Sequence, residues 1–399
     1  MMEFAARVRR ITTSPSTLAA QRARELRAAG ADIVTLTTGE PDFPTPPHVI
    51  EAAFAAARAG QTRYTTVSGT PELKAAIIAK LWRENGLEYQ PESIVVGNGG
   101  KHVLFNALMA TVEAGVEVVI PAPYWISYTE IVLLAGGTPR IVACPASEGF
   151  KLTPDRLAAA ITPATRWLIL NSPSNPSGAI YSAAELAGLA EVLLRHPRVA
   201  VLSDDMYEHI RFDGRPFATI AAVCPELKAR TLTLNGVSKT YAMTGWRLGY
   251  AGGPPELVRE MVKMLSQSTA APSAISQAAA VAALNGPQDL VAANNRSYEE
   301  RRDLAVAMLN QARGLRCPSP EGAFYAFPDC SALIGRRTPA GDIIRSDADF
   351  VRYLLDRGVA TVQGAAYGLS PHVRISFATS REAIVEGCRR IQRACAELI

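Results

Sequence analysis

The sequence predicts an α/β protein with a large domain, built on a mainly parallel central sheet flanked by helices, and a smaller α/β domain. Apolar strands alternate with amphipathic helices from residue 33 to about residue 290, and the strands are almost continuously apolar. That pattern is typical of parallel strands buried on both faces. After residue 290 the pattern changes to a long charged helix, short strands and a terminal helix. We expect an N-terminal segment (1–45) that belongs to the small domain, a large domain (46–290) and a C-terminal small domain (291–399).

Proline and glycine mark the boundaries of the individual elements, with Pro at helix starts and Gly just after helix ends. The helices predicted in the first half of the chain cover 17–30, 46–60, 71–86, 102–115 and 182–196. The predicted strands of the central sheet cover 93–97, 116–120, 138–143, 166–170, 199–203 and 230–234, after a short strand over 33–36. The small domain is predicted to contain a helix over 294–314, strands over 323–327 and 373–378, and a terminal helix over 381–399.

Composition excludes several function classes. Hydrophobic residues make up 48% and charged residues 20% of the chain, as in ordinary folded domains. The net charge of +4 is small for 399 residues and the basic residues are dispersed, which argues against a nucleic-acid surface. Arginine pairs such as Arg301–Arg302 are expected on solvated faces. Neither a membrane-spanning apolar run nor a signal peptide is visible. The six cysteines form no C-x-x-C pair, so we expect free thiols, no metal site and a cytoplasmic protein.

Chemically distinctive residues follow five consecutive strands, at the strand ends where ligands bind in open α/β sheets. In chain order they are Gly99–Gly100, Trp125, Asn175, Asp204 with Tyr207, and Lys239 with Arg247. Taken singly, each has a simpler explanation, such as core packing for Trp125, a turn for Asn175 or a helix cap for Asp204. The run GNGGKH (97–102) also lacks the spacing of a P-loop. Their joint position at one edge of the sheet favours a shared ligand.

These residue types match the requirements of pyridoxal 5′-phosphate. A lysine amine, Lys239, can bond its aldehyde carbon, and a carboxylate, Asp204, can keep its pyridine nitrogen protonated. The cofactor also needs donors for its phenolic oxygen, a flat partner for its ring, and N–H groups with a cation for its phosphate. The sequence offers for these, in that order, Asn175 and Tyr207, Trp125, and Gly99–Gly100 with Arg247.

The surrounding motifs are similar to those of fold-type I, class I aminotransferases that depend on pyridoxal 5′-phosphate, in the bacterial aspartate aminotransferase subgroup. The similarity covers nearly the whole chain and is carried chiefly by GEPDFPTP (39–46), GNGGKHVLFNA (97–107), NSPSNPSG (171–178), SDDMYEH (203–209), NGVSKTYAMTGWRLGY (235–250), EGAFYAFP (321–328) and VRISFATS (373–380). It implies a large domain that binds the cofactor and a homodimer with active sites at the interface. The implied reaction moves an α-amino group between an L-amino acid and a 2-oxo acid such as 2-oxoglutarate, by a ping-pong mechanism.

The resemblance also implies roles for single residues. Lys239 is the catalytic lysine, and Arg374 binds the substrate α-carboxylate with Gly39 beside it. Trp125, Asn175 and Lys101 are also expected at the substrate, and Lys101 is our own candidate cation for a second carboxylate. The implied cofactor-binding residues are Gly99, Gly100, Lys101, Trp125, Asn175, Asp204, Tyr207, Ser238, Lys239, Arg247 and Tyr64, the last reaching the cofactor phosphate of the other subunit.

The substrate stays open at this stage. Thr12 stands where many of these relatives have a lysine that recognises the substrate side chain. Ser266 stands at about the place of an arginine that the animal-type enzymes use for a distal carboxylate. Aspartate or glutamate is the favoured donor, and an aromatic amino acid or prephenate aminotransferase is the alternative. A lyase or decarboxylase that uses the same cofactor and fold is a more remote alternative.

Overall fold

The computed structural model describes residues 2–399, and over that range the strands form three sheets. The strands are β1 (Val34–Thr35), β2 (Ile94–Gly97), β3 (Glu117–Ala122), β4 (Thr138–Ala143), β5 (Thr165–Asn171), β6 (Ala200–Asp204), β7 (Thr231–Gly236), β8 (Gly249–Gly252), β9 (Tyr325–Ala326), β10 (Val359–Ala360), β11 (Val362–Gln363) and β12 (Val373–Ser376). The central sheet has seven strands in the order β2-β8-β7-β6-β5-β3-β4. Its neighbours from β7 through β4 are parallel, which confirms the predicted mainly parallel sheet.

Strand β8 was missed by the sequence pattern, and it is the one that runs antiparallel to both of its neighbours, β2 and β7. Its sequence, GYAG, is too rich in glycine to show an apolar strand pattern. Packing explains the first of these glycines: a Cβ on Gly249 would lie 2.2 Å from the backbone nitrogen of Gly100. Strand β8 therefore needs glycine to approach the start of the helix that follows β2.

Helices cover both faces of the central sheet and pack with the strands of the C-terminal part of the chain. They are α1 (Pro15–Ala28), α2 (Pro47–Arg58), α3 (Pro71–Asn85), α4 (Gly100–Thr111), α5 (Ser127–Leu134), α6 (Pro154–Ala160), α7 (Ala183–Leu194), α8 (Ile220–Val223), α9 (Pro255–Ser268), α10 (Ala274–Asn285), α11 (Asp289–Leu309), α12 (Asp347–Asp356) and α13 (Arg381–Glu397). Several boundaries have the expected caps, since the Thr70 hydroxyl accepts from the Leu73 N–H and Gly86 is left-handed with φ 66°. Helix α11 begins five residues before its predicted start at 294.

A second hydrophobic core lies outside the central sheet and joins the two ends of the chain. Residues of α11, α12 and α13 pack there with β9 and β12, and Leu36 from the N-terminal segment belongs to the same cluster. Strand β1 also pairs in parallel with β10. These contacts support an association of the N-terminal segment with the C-terminal part of the chain. The exact division at residues 45 and 290 stays a prediction.

The expectation that Arg301–Arg302 lies on a solvated face is wrong for Arg302. Its side chain is buried, makes two hydrogen bonds of 2.8 and 2.9 Å to Asp213, and lies 4.9 Å from the centre of the Phe212 ring. The partner Asp213 is distant in sequence, so local patterning could not reveal the pair. Buried arginine of this kind is stable because the carboxylate compensates its charge.

All six cysteines are free, as the sequence predicted, and all six are buried. In the described range, 2–399, no helix combines the length and the apolar character that crossing a membrane requires.

Candidate active site

A cavity of about 650 Å³ lies at the carboxyl ends of β5, β6 and β7, next to the start of α4. Helix α1 and the segment after β1 form its other walls. The predicted site residues that line it are Gly39, Gly100, Lys101, Trp125, Asn175, Asp204, Tyr207, Ser238, Lys239, Arg247 and Arg374. Residues from 39 to 374 thus converge on one volume, because the strand ends of the central sheet face β12 across it.

Lys239 lies at the floor of this cavity, on the segment that follows β7. Its Nζ donates a 2.5 Å hydrogen bond to the carbonyl oxygen of Gly39. The pKa of Lys239 is lowered to about 8, chiefly by burial and also by the guanidinium groups of Arg247 and Arg374, while the carboxylates of Glu40 and Asp204 oppose the shift. An amine with this pKa is neutral in about a tenth of the molecules at pH 7, far more than an ordinary lysine, so it can act as a nucleophile and a base.

Asp204 is the last residue of β6 and is buried beside the cavity. It accepts a 2.5 Å hydrogen bond from the Tyr128 hydroxyl and a 3.3 Å bond from the Met206 N–H. Burial raises the pKa of Asp204 to about 6, although both hydrogen bonds and the Lys239 charge act in the opposite direction. A carboxylate that is costly to ionise attracts a protonated nitrogen strongly, because the cation compensates its buried charge.

Arg374 on β12 brings a guanidinium group to the opposite wall. It donates to the Asn175 side-chain oxygen at 3.2 Å and to the Thr37 carbonyl at 2.7 Å, while its Nε has no protein partner in the described structure. The rings of Tyr325 and Tyr367 lie 4.5 and 5.0 Å from its central carbon. A buried guanidinium without a carboxylate partner is suited to bind the carboxylate of a ligand.

The start of α4 and Arg247 form a cradle for an anion. Gly99 caps the helix with φ 87°, and Arg247 has the left-handed φ of 54° that only glycine adopts easily. A Cβ on Gly99 would lie 2.4 Å from Nη2 of Arg247, so glycine is required for the guanidinium to come this close to the helix. The free N–H groups of a helix start and a neighbouring cation together suit a phosphate.

Aromatic residues complete the walls. The rings of Trp125 and Tyr128 meet edge to face with centroids 5.4 Å apart, and Nζ of Lys101 lies 5.0 Å from the centre of the Trp125 ring. The Tyr207 hydroxyl lies 3.0 Å from the hydroxyl of Tyr325. Sequence reasoning gave no role to Tyr128 or Tyr325. The available signal for Tyr128 was its position three residues after Trp125, where a helix begins.

Helix α1 supplies a wall that sequence reasoning also missed. The residues it contributes are Ser16, Thr17, Ala20, Arg24 and Arg27. Their spacing of three or four residues puts them on one face of the helix. The local pattern of α1 predicts a helix, but nothing in it shows which face turns toward the cavity.

Three residues discussed from the sequence lie away from the cavity. Tyr64 is 95% exposed and belongs to a segment without regular structure. The Thr12 N–H donates to Glu130 at 2.7 Å, and exposed Ser266 donates to the Lys263 carbonyl within α9. Among the residues predicted at the substrate, Arg374 and Lys101 are the cations that line the cavity, and Arg24 and Arg27 of α1 line it as well.

Comparison with known proteins agrees with this geometry. Residues 31–391 match the family model described as aminotransferase class I and II. The chain is 56% identical over 390 residues to the aspartate/prephenate aminotransferase of Cereibacter sphaeroides, and the match covers 98% of each chain.

Solved structures show the same relationship. The crystal structure of an aspartate aminotransferase from Rhizobium meliloti superposes with a TM-score of 0.98 at 54% identity, covering all of both chains. That of the aspartate aminotransferase from Thermus thermophilus with maleate gives a TM-score of 0.92 at 40% identity, covering 99% of this chain and 100% of the other. The shared fold is therefore that of the fold-type I enzymes. With a family model matching most of its length and close relatives matching nearly all of it, this chain belongs to the aminotransferase class I and II family, and it is a transaminase.

Proposed function

We propose that this transaminase uses pyridoxal 5′-phosphate to move the α-amino group between L-aspartate or L-glutamate and a 2-oxo acid such as 2-oxoglutarate. The observation that carries the choice of substrate is that Arg374 and Lys101 both line the cavity that contains Lys239, in addition to Arg247 and to Arg24 and Arg27 of α1. Two cations suit a substrate with two carboxylates. The names of the close relatives, and the dicarboxylate maleate in the Thermus thermophilus structure, point in the same direction.

The residues present fit the cofactor. The strongest evidence is that the Arg247 guanidinium packs against Gly99, 2.4 Å from where a Cβ would lie, so that a cation and the start of α4 line the same cavity. Buried Asp204 would hold the ring nitrogen, and Trp125 would lie against the ring. The remaining residues proposed to hold the cofactor are Gly100, Lys101, Asn175, Tyr207, Ser238, Lys239 and, from the other subunit, Tyr64. When bound, the cofactor takes up the amino group and withdraws electrons from the substrate Cα.

Lys239 carries the proton transfer in this proposal. In its neutral form, Nζ removes the proton from the substrate Cα and later returns a proton as a general acid. Its lowered pKa makes the neutral form available near neutral pH. Arg374 binds the substrate α-carboxylate through a bidentate contact, which sets the direction of the Cα–H bond relative to Nζ of Lys239. Asn175, already bonded to Arg374, holds that guanidinium in place.

Prephenate as amino acceptor is the second candidate. The name of the Cereibacter sphaeroides relative includes it. The volume of the cavity, about 650 Å³, and its extension along α1 to Arg24 and Arg27 leave room for a substrate larger than aspartate. An aromatic amino acid donor is compatible with the same volume.

The quaternary structure and location are also part of the proposal. We propose a cytoplasmic homodimer in which Tyr64, exposed in the single chain, contacts the cofactor phosphate of the other subunit. We further propose that residues 1–45 and 291–399 form the small domain and that 46–290 form the cofactor-binding domain. The pairing of β1 with β10 supports this division.

A half-reaction tests the proposed function. Holoenzyme is mixed with one amino acid at a time, and the change of cofactor absorbance to the pyridoxamine form is measured with the amount of oxo acid released. We expect aspartate and glutamate to react most efficiently, with one oxo acid formed per cofactor. Release of ammonia or carbon dioxide without the pyridoxamine form would instead indicate a lyase or decarboxylase.

A substitution at Lys101 tests the substrate class. We expect Lys101→Ala to lower kcat/KM for aspartate by roughly 10- to 100-fold, the loss of one charge-assisted hydrogen bond. The value for phenylalanine should change much less, because that substrate has no second carboxylate. Ser266→Ala, at an exposed position in α9, serves as a control. Equal losses for aspartate and phenylalanine would assign Lys101 to the cofactor alone.

A further inference from the structure

A second polar cluster is buried behind the catalytic lysine, outside the active-site cavity. It consists of Lys80, Asn85, Glu208 and Asn235, which we call the Glu208 cluster because the other three residues all hydrogen bond to that carboxylate. None of the four is more than 9% exposed, and none lines the cavity. Four buried polar side chains in one place require an explanation, because burying a polar group without a hydrogen-bond partner costs free energy of folding.

Both carboxylate oxygens of Glu208 accept hydrogen bonds from the other members of the cluster. Oε1 accepts from the Lys80 ammonium and, at 2.8 Å, from the Asn235 amide, while Oε2 accepts from the Asn85 amide at 2.6 Å. Lys80 also donates to Asn85 at 2.7 Å, which closes the network. Burial alone would raise the pKa of Glu208, but the Lys80 charge and these hydrogen bonds outweigh it, and the pKa lies below its ordinary value. The cluster is therefore a buried ion pair whose members are held from several sides.

The cluster connects the two segments that carry the proposed catalytic groups. Glu208 directly follows Tyr207 and stands four residues after Asp204, whereas Asn235 stands four residues before Lys239. The Asn235 side-chain oxygen also accepts from the N–H of the next residue, Gly236, at 2.7 Å. The Glu208 carboxylate thus connects the segment after β6 to the end of β7. The ammonium group of Lys80, on α3, compensates its negative charge.

A second contact supports the segment on the other side of the lysine. Nδ1 of His209 lies 3.2 Å from the hydroxyl of Thr240, the residue that follows Lys239. Nε2 of the same ring lies 3.0 Å from Glu84. Residues on both sides of Lys239 are therefore held by consecutive residues, Glu208 and His209.

The carboxylates in and beside the Glu208 cluster do not form a metal site. Ligand atoms of Glu84, Glu208 and His209 do lie within 4.8 Å of one another. The Lys80 ammonium, however, contacts Glu208 and lies 3.4 Å from Glu84, so a cation of the protein already occupies the position between the carboxylates. The arrangement serves to connect chain segments.

We propose that Glu208 is a positioning residue that sets the distance between Lys239 and the Asp204–Tyr207 pair, with Lys80 as its counter-ion. The inference rests on the proposed function, in which those three residues act on one cofactor. Proton transfer depends steeply on geometry, and a misplacement of about 1 Å can cost about 100-fold in rate. A fully paired buried network is a means to hold two strand ends within that tolerance.

Glu208→Gln in the holoenzyme tests the proposal, because it preserves the volume and removes the charge. We expect kcat for aspartate to fall about 10- to 100-fold, with KM changed less than about threefold, since the substrate carboxylate sites are untouched. The pH midpoint of the visible absorbance of the bound cofactor should shift as well, by about half a pH unit or more. That spectroscopic change would not result from a general loss of stability.

Asp213→Asn is the control, because it breaks another carboxylate–cation pair, between exposed Asp213 and buried Arg302, away from the active-site cavity. It should lower Tm and leave kcat and the pH midpoint of correctly folded enzyme unchanged. If Glu208→Gln does not fold, Asn235→Ala replaces it, because it removes the amide that links Oε1 of Glu208 to β7, and it should shift the midpoint in the same direction by a smaller amount. Wild-type kcat and midpoint in the variant tested, or equal effects of Asp213→Asn, would overturn the proposal. A failure of the proposed function would show separately, as absence of the half-reaction in the wild-type enzyme.

Discussion

Burial shifts the pKa values of Lys239 and Asp204 in opposite directions, and both shifts favour the neutral form. It lowers the pKa of the lysine to about 8 and raises that of the aspartate to about 6, so both groups become easier to neutralise. The aspartate is ionised at neutral pH only at a cost, and a protonated ring nitrogen would remove that cost. The free energy of this buried charge therefore favours binding of a cation.

Asp204→Asn tests this cost in the apoenzyme. The folded pKa of Asp204 lies above its unfolded value of 3.8, so its ionisation destabilises the fold above about pH 6, and the penalty disappears as the pH falls below about 4. At about 1.4 kcal/mol for each tenfold change in protonation, the penalty is about 3 kcal/mol. We expect the variant to be more stable than wild type at pH 7 in urea denaturation, with the difference vanishing near pH 4.

The same substitution should act oppositely in the holoenzyme. Loss of the charge partner of the ring nitrogen should reduce kcat by about 100-fold or more. Asp205→Asn is the control, since Asp205 is equally buried and adjacent but does not line the cavity. A variant Asp204→Asn with full activity would contradict the assignment of this carboxylate to the cofactor.

At the scale of elements, the site depends on where each strand ends and how α4 begins. Parallel strands bring their carboxyl ends to one edge, so β5, β6 and β7 deliver Asn175, Asp204 and Lys239 to the same volume. The antiparallel strand β8 then returns along β7 and leaves Arg247, just before it, beside the α4 start. The proposed phosphate cradle is therefore a product of two elements, and neither forms it alone.

Gly99→Ala should weaken cofactor binding through this cradle. The added Cβ would lie 2.4 Å from Arg247, and alanine is also strained at φ 87°. We expect the Kd for pyridoxal 5′-phosphate to rise about tenfold or more in a titration of the apoenzyme, at a strain of about 1–2 kcal/mol plus the displaced guanidinium. Pyridoxal, which lacks the phosphate, should bind with nearly unchanged affinity.

Gly86→Ala is the control for that experiment. Gly86 also has a positive φ, 66°, but nothing lies within 4 Å of the added Cβ. It should lower the stability by a similar backbone cost and leave cofactor affinity unchanged. Equal effects of both variants on the Kd would show that the backbone cost, rather than the cradle, determines the result.

At the scale of the whole molecule, the active site joins two separate cores. Lys239 and Asp204 belong to the central sheet, whereas Arg374 lies on β12, which packs in the cluster around α11 and α13. The N-terminal segment crosses between them, because Gly39 accepts from Lys239 and Thr37 accepts from Arg374. A relative movement of the two cores would change the distance between the substrate carboxylate site and the lysine.

The proposed dimer completes the molecule, and mixing two inactive variants tests it. Lys239→Ala and Tyr64→Ala are each expected to be nearly inactive, the second because the exposed tyrosine would no longer reach the phosphate of the other subunit. In a hybrid dimer one of the two sites contains both intact residues. Reassociation of an equal mixture should therefore restore about a quarter of wild-type activity. No recovery in verified hybrids, or full cofactor affinity in Tyr64→Ala alone, would contradict the shared site.

By itself the sequence determined the fold class, the parallel sheet and most of the residues in the cavity. Periodicity and helix caps are local, and a strand end marks where a ligand residue will lie, so the sequence alone places Lys239, Asp204 and Asn175 at one sheet edge. The roles of Arg374 and Tyr64 came only from family resemblance. Only the tertiary structure decided that Arg302 is buried and that one face of α1 lines the cavity. It also decided that Thr12 bonds to Glu130 and that Glu208 links the segments that carry Asp204 and Lys239. These features depend on partners distant in sequence, and such pairings leave no local periodic signal.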